Sequence, residues 1–226
     1  MVRRKLIIRR DFTDEEEDLL NDCKRIIDFS GEAIANTELF ENLKGNNFIF
    51  FYIIQACWGF LRSIFNCYVD AGYHSAYILG RALLEYYIDF CFLLKEDTQQ
   101  RTEEYITAWK EGRDPFKKAK KFKKFETIDQ RSKNVGLYKI YITSYKSLCS
   151  FSHVNLKGSL LARVTKKAIE DRPKFLLNNM LLYLEILDIA SKKMNVAYPQ
   201  RLSNLIIDKI KKLEAKINGE FTYPDL

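Results

Sequence analysis

The sequence predicts an all-α fold, a single bundle of about seven helices, and three observations carry that reading. Glycine and proline are scarce, 9 and 4 in 226 residues, so the tight turns of an all-β chain cannot be supplied at the usual rate. Apolar residues recur at helical spacing over most of the chain. Capping and stop signals punctuate those periodic stretches.

Thr13-Asp14-Glu15-Glu16 has the S/T-x-x-E form of a capping box, in which the side chains at the two ends each satisfy an orphan backbone N–H. A first helix is expected from there to about Ala35, with Leu19, Leu20, Cys23, Ile26, Ile27 and Ile34 in period. Asn46-Asn47 caps a second, running to about Asp70 and stopping at Ala71-Gly72, because glycine is favoured just past a helix end. A third runs from about Tyr73 to Lys95. The second and third are the most apolar, which predicts them at the centre of the bundle. A shorter, more polar helix follows from Thr98 to Glu111, carrying Tyr105, Ile106 and Trp109.

The composition changes between Gly112 and Gly136. Six lysines (Lys117, Lys118, Lys120, Lys121, Lys123 and Lys124) fill positions 117–124 among Phe116, Phe122 and Phe125. This reads as a basic, partly helical, mobile excursion, since periodic helices resume on both sides. The lysines are candidate phosphate contacts, and Phe122 and Phe125 are placed to stack on unpaired bases; the plainer reading is a solvated surface. A helix rich in small residues is expected from Leu137 to about Phe151, with His153 at or beyond its end. Asp171-Arg172-Pro173 sets an N-cap before a proline in the first turn, where its missing N–H costs nothing. An apolar helix follows to about Met194. After Tyr198-Pro199 a last amphipathic helix runs to about Ile217, with residues 219–226 as a tail. The chain contains no internal repeat, and one domain over 1–226 is expected.

Composition also bounds the function. At 47 % hydrophobic and 30 % charged residues the chain is too apolar for intrinsic disorder. The net charge of +7 suits an anionic partner without requiring one. The five cysteines, at 23, 57, 67, 91 and 149, form no Cys-x-x-Cys pair, and four fall in apolar helical patterns where a thiol packs as a small hydrophobe. That points to a reducing, cytoplasmic setting. The apolar run Leu6-Ile7-Ile8 is too short for a signal peptide. Phe48 to Leu61 falls short of the ~20 residues that span a bilayer, so a buried core helix and no membrane partner are expected. Two distant histidines meet no metal-ligand spacing, and neither Gly-x-Ser-x-Gly nor a glycine-rich phosphate loop is present. No metal and no cofactor are expected.

The stretch ILGRALLEYYIDF, Ile78 to Phe90, places Arg81 and Glu85 four residues apart on an otherwise apolar helix, with Tyr77 and Asp89 extending the row. An exposed pair of this kind is worth only ~0.2–0.5 kcal/mol. Burial costs several kcal/mol per ion before attraction is counted. Local helix support therefore cannot justify burial, and the row either opens on a solvated cleft or joins a third polar group. Tyr145, Cys149 and His153 share one face of the later helix, with Ser150 beside them, and supply candidates for that group. A carboxylate near His153 would raise its pKa. A polar network that fixes how two helices meet accounts for the same residues.

The pairing of GRALLEYYIDFCFLL with YKSLCSFSH resembles a bacterial all-helical family, a domain of unknown function marked by R-x-x-x-E and Y-x-x-L-S-x-x-x-H. Arg81, Glu85, Tyr145, Leu148 and His153 match these signatures; Cys149 stands where serine is usual. The family is similar in plan to HEPN and abortive-infection proteins. That resemblance implies a homodimer, RNA as partner or substrate, and a role in phage defence or toxin-like control. In such a reading Arg81 holds a phosphate, His153 is the acid or base, Glu85 orients one of them, and Tyr145, Cys149 and Ser150 line the substrate. Active HEPN ribonucleases carry R-x(4 to 6)-H within one helix, whereas this chain offers only Lys146 at a similar distance before His153. The competing expectation is a non-catalytic helical module for a protein or small ligand.

Overall fold

The computed structural model describes residues 12, 14–36, 40, 43, 48–70, 72–117, 119–145 and 172–216. Among them there is no strand, and the fold is all-α. The helices are α1 (Asp14–Ala35), α2 (Phe48–Val69), α3 (Tyr73–Leu94), α4 (Thr98–Lys110), α5 (Ile128–Asn134), α6 (Tyr138–Ile140), α7 (Arg172–Met194) and α8 (Gln200–Lys216). A 3-10 segment, Lys120–Phe125, precedes α5, and a π turn, Tyr141–Tyr145, continues α6. Helices α3 and α4 start and stop, α1 and α7 stop, and α8 starts within one or two residues of their sequence signals. Thr13, Asn46, Asn47, Asp171 and Gly219, expected as caps or stops, lie outside the described residues, as does residue 118.

Helices α2 and α3, joined by a three-residue connection, form an antiparallel hairpin and the most extensive contact in the bundle. Its register is marked by ring pairs: Phe50 with Phe90 at 5.8 Å, Phe60 with Tyr86 at 5.3 Å, Tyr68 with Tyr73 at 5.4 Å. The expected glycine stop works differently. Gly72 has φ −82°, not a left-handed conformation, and its N–H donates to the Cys67 carbonyl at 2.7 Å as the chain enters α3.

The most enclosed helices are α3 and α7; between Leu176 and Leu187 nearly every α7 residue is buried. The expectation of α2 as an equal centre is modified by its outer row, Tyr52, Gln55, Arg62 and Asn66, which is exposed. Overall apolarity conceals this row because the apolar residues of α2 spread around more than one face. By length and composition α2 is the one helix among the described residues able to cross a membrane, and in this fold it lies against α1, α3 and α7.

Close contacts fix these crossings. A Cβ at Gly80 of α3 would stand 2.7 Å from the Phe175 ring and 3.0 Å from Asn179 Oδ1, both on α7. Only glycine admits that approach. The Trp58 indole of α2 donates to the Ile27 carbonyl of α1 at 2.9 Å, and Gly31 leaves room for its ring. Tyr68 donates to Glu16 Oε1 at 3.0 Å, a buried contact between the same helices.

A second packed block joins α3, α4, α5 and the 3-10 segment. Phe92, Phe116, Phe122, Phe125 and Tyr105 interlock, with Phe116 5.0 Å from Phe92 and 5.3 Å from Phe122. Phe116 has φ 63°, a conformation costing about 1–2 kcal/mol for a side chain of this kind. Full burial of the ring, about 1.5–3 kcal/mol, plus its aromatic contacts outweighs that strain. Arg101 lies in the same block, 4.0 Å above Phe92, and donates to the Phe92 carbonyl at 2.6 Å. It thereby satisfies an orphan carbonyl at the end of α3.

Candidate functional site

The polar row of α3 is divided along its length. Tyr77 is buried against Phe175, ring centroids 4.5 Å apart. Arg81 and Glu85 follow at the surface, Nε donating to Oε1 at 3.0 Å, with side chains 29 % and 35 % exposed. Asp89, one turn further, is buried and accepts from Arg131 Nε of α5 at 2.6 Å. Arg131 Nη1 reaches the carbonyls of Phe125 at 3.0 Å and Glu126 at 3.2 Å.

This division answers the question posed by two charges in an apolar helix. Arg81 and Glu85 are not sealed in the core; solvent screens them, and their pairing contributes little to stability. The buried network is instead built one turn on, by Asp89 and Arg131, because α5 and the 3-10 segment cover that end of α3. Burial pushes the Asp89 carboxyl up and Arg131 opposes the shift. Tyr86 borders both regions. Its hydroxyl is raised first by burial, then by Cys57, Asp89 and Glu85 nearby.

The partners expected from the later helix are only partly placed. The π turn that carries the Tyr145 backbone packs on α3. Cys149, Ser150 and His153 lie outside the described residues, as does Lys118. Among the described residues no group of histidine, cysteine and carboxylate side chains is arranged to hold a metal ion.

The lysine run has two faces. Lys117, Lys120, Lys121, Lys123 and Lys124 are exposed. Lys121 meets the uncharged Gln100 at 3.0 Å, and Lys117 pairs with Asp114 at 3.1 Å. The phenylalanines point the other way: Phe122 is buried on Phe116, and Phe125 packs 4.9 Å from Phe92 with Arg101 over its ring at 5.6 Å. Burial removes Phe122 from the base-stacking role expected of it, while Phe125, partly buried, packs against Phe92 of α3.

Two features were not singled out from the sequence. Arg131 stands 42 residues from Asp89, and nothing local pairs them. Trp109, expected only as an apolar residue of α4, is 67 % exposed. No family model, no curated protein and no solved structure matches the chain.

Proposed function

We propose that this all-α protein binds RNA through the lysine face of the 3-10 segment. The observation that carries this reading is the sidedness of the run: its rings are spent on the core, while Lys120, Lys121, Lys123 and Lys124 stand exposed on a short, anchored turn. Four cations held this way form a local positive field on a chain of net charge +7. A polyanion gains affinity there by releasing condensed counterions. The resemblance to HEPN-like proteins points to the same partner and adds cleavage, with Arg81 holding a phosphate, His153 as acid or base and Glu85 orienting one of them. The half-exposed Arg81–Glu85 pair supports that extension, since a ligand can reach it. Replacing the lysines by glutamine tests the reading through loss of RNA affinity in a protein that still folds.

A second reading, a non-catalytic module for a protein partner, draws support from the outer row of α2, where Phe48 and Tyr52 are exposed. A second copy of the chain is the partner that the resemblance implies. Sedimentation of the protein alone, before and after Tyr52→Lys, distinguishes a self-associating face from a solvated one.

A further inference from the structure

The lysine face belongs to a block built apart from the rest of the bundle. Among the described residues α1, α2, α7 and α8 each pack on two or more other helices, whereas α4 and α5 meet the bundle chiefly through α3. Their hold there is short. Arg131 Nε donates to Asp89, Arg101 Nη1 to the Phe92 carbonyl and Lys95 Nζ to the Asn134 carbonyl, each at 2.6 Å. Phe116 and Phe125 close on the Phe92 ring at 5.0 Å and 4.9 Å. From Asp89 to Lys95 these anchors occupy roughly 9 Å of helix axis.

Inside, the block is cross-braced. Arg113 Nη2 donates to Glu104 at 2.6 Å and Nη1 to the Lys117 carbonyl at 3.1 Å, Lys121 donates to Gln100 at 3.0 Å, and the Phe116 ring meets both Tyr105 and Phe122. Its two limits are left-handed residues, Asp97 with φ 57° ahead of α4 and Gly136 with φ 77° after α5. Dihedral changes at two such points swing what lies between them without bending a helix.

We propose that α4, the 3-10 segment and α5 open from the end of α3 as one unit while the other helices stay packed, so that docking of this block governs the lysine face. Opening breaks the Asp89–Arg131 pair and bares the Phe92 ring. The packing of α2 against α1, α3 and α7 is untouched by it. The link to a ligand rests on the reading of the lysines as phosphate contacts: a polyanion that binds the docked block draws the equilibrium toward it by mass action.

The test is native-state amide hydrogen exchange of the full chain, as parent, Gly80→Ala, Ile64→Val and Arg131→Lys, each with and without inorganic polyphosphate. In the parent the most protected amides of α4 and α5 are expected to exchange faster than the slowest of α2 and α7. Gly80 and Ile64 are buried in the bundle, so their substitution should speed the slowest α2 and α7 amides by about tenfold and leave those of α4 and α5 at the parent rate. Arg131→Lys speeds both sets, because it weakens the docked state from which either opening starts. Block amides as slow as the slowest of α7 in the parent, or amides that accelerate with those of α7 in the two bundle variants, overturn the proposal, since the block then opens only when the whole protein unfolds. Separate opening that polyphosphate leaves at the same rate supports the unit and removes the lysine reading instead.

Discussion

Asp89 on α3 and Arg131 on α5 form a buried ion pair at 2.6 Å that pins the basic segment to the bundle. Arg131 also holds the carbonyls of Phe125 and Glu126, so one guanidinium joins the helix core, the 3-10 segment and the start of α5. The lysine face is presented from this fixed underside.

Breaking the pair on one side strands a buried charge. Arg131→Met is predicted to cost about 3–5 kcal/mol in denaturant unfolding, and Asp89→Asn a similar amount. The double variant, with no charge left to strand, should lose much less than the sum. Additive losses would show that the two side chains do not act together.

The α3–α7 crossing gives a second expectation. Gly80→Ala drives a Cβ to 2.7 Å from Phe175, and the predicted loss is about 1–3 kcal/mol. Combining it with Phe175→Leu should recover part of that loss in melting temperature. An unchanged melting temperature for the single variant would mean that the helices do not approach so closely.

Alkaline stability follows from buried acids. Burial raises the thiols of Cys23, Cys57 and Cys91 and the phenols of Tyr105, Tyr183 and Tyr198. Each holds its proton in the fold to a higher pH than in the unfolded chain. Their contribution is fully present below the ordinary values, 9.0 for the thiols and 10.0 for the phenols, and is lost as pH rises past them. Urea unfolding should show stability falling above pH 9, by about 1.4 kcal/mol per pH unit for each titrating group. A flat profile to pH 11 would contradict the enclosure of these side chains.

Much of the helical frame is legible in the sequence because its signals are local. The apolar periods of α1 and α3, the proline ahead of α8 and the glycine between α2 and α3 each act within a few residues. The start of α5 is equally local: Thr127 and Gln130 exchange the reciprocal bonds of a capping box, at 3.3 Å and 3.0 Å, inside a stretch whose lysines dominate its composition. What the sequence does not disclose is pairing over distance. Asp89 reads as one more polar residue of a helical row until Arg131 arrives from another element. The direction of Phe122 and Phe125 is hidden too, since phenylalanines set among pairs of lysines fit rings outward or inward. The positive φ of Phe116 and the packed wall of Phe92 decide it.

For the surface pair, Glu85→Gln should change stability by no more than about 0.5 kcal/mol, as expected of a partly exposed contact four residues apart. Loss of RNA cleavage in that variant would then report on chemistry and not on folding. A large drop in melting temperature, with no cleavage in the parent, assigns the pair to structure.

The lysine face itself is tested most directly by the salt dependence of RNA binding. Parent protein and a variant with Lys117, Lys120, Lys121, Lys123 and Lys124 replaced by glutamine are compared on one single-stranded RNA across a range of salt concentrations. Each phosphate contact adds about 0.7 to the slope of log affinity against log salt, so the parent slope should be steeper by up to about 3.5. Equal slopes and equal affinities in the two proteins would contradict RNA binding at this surface.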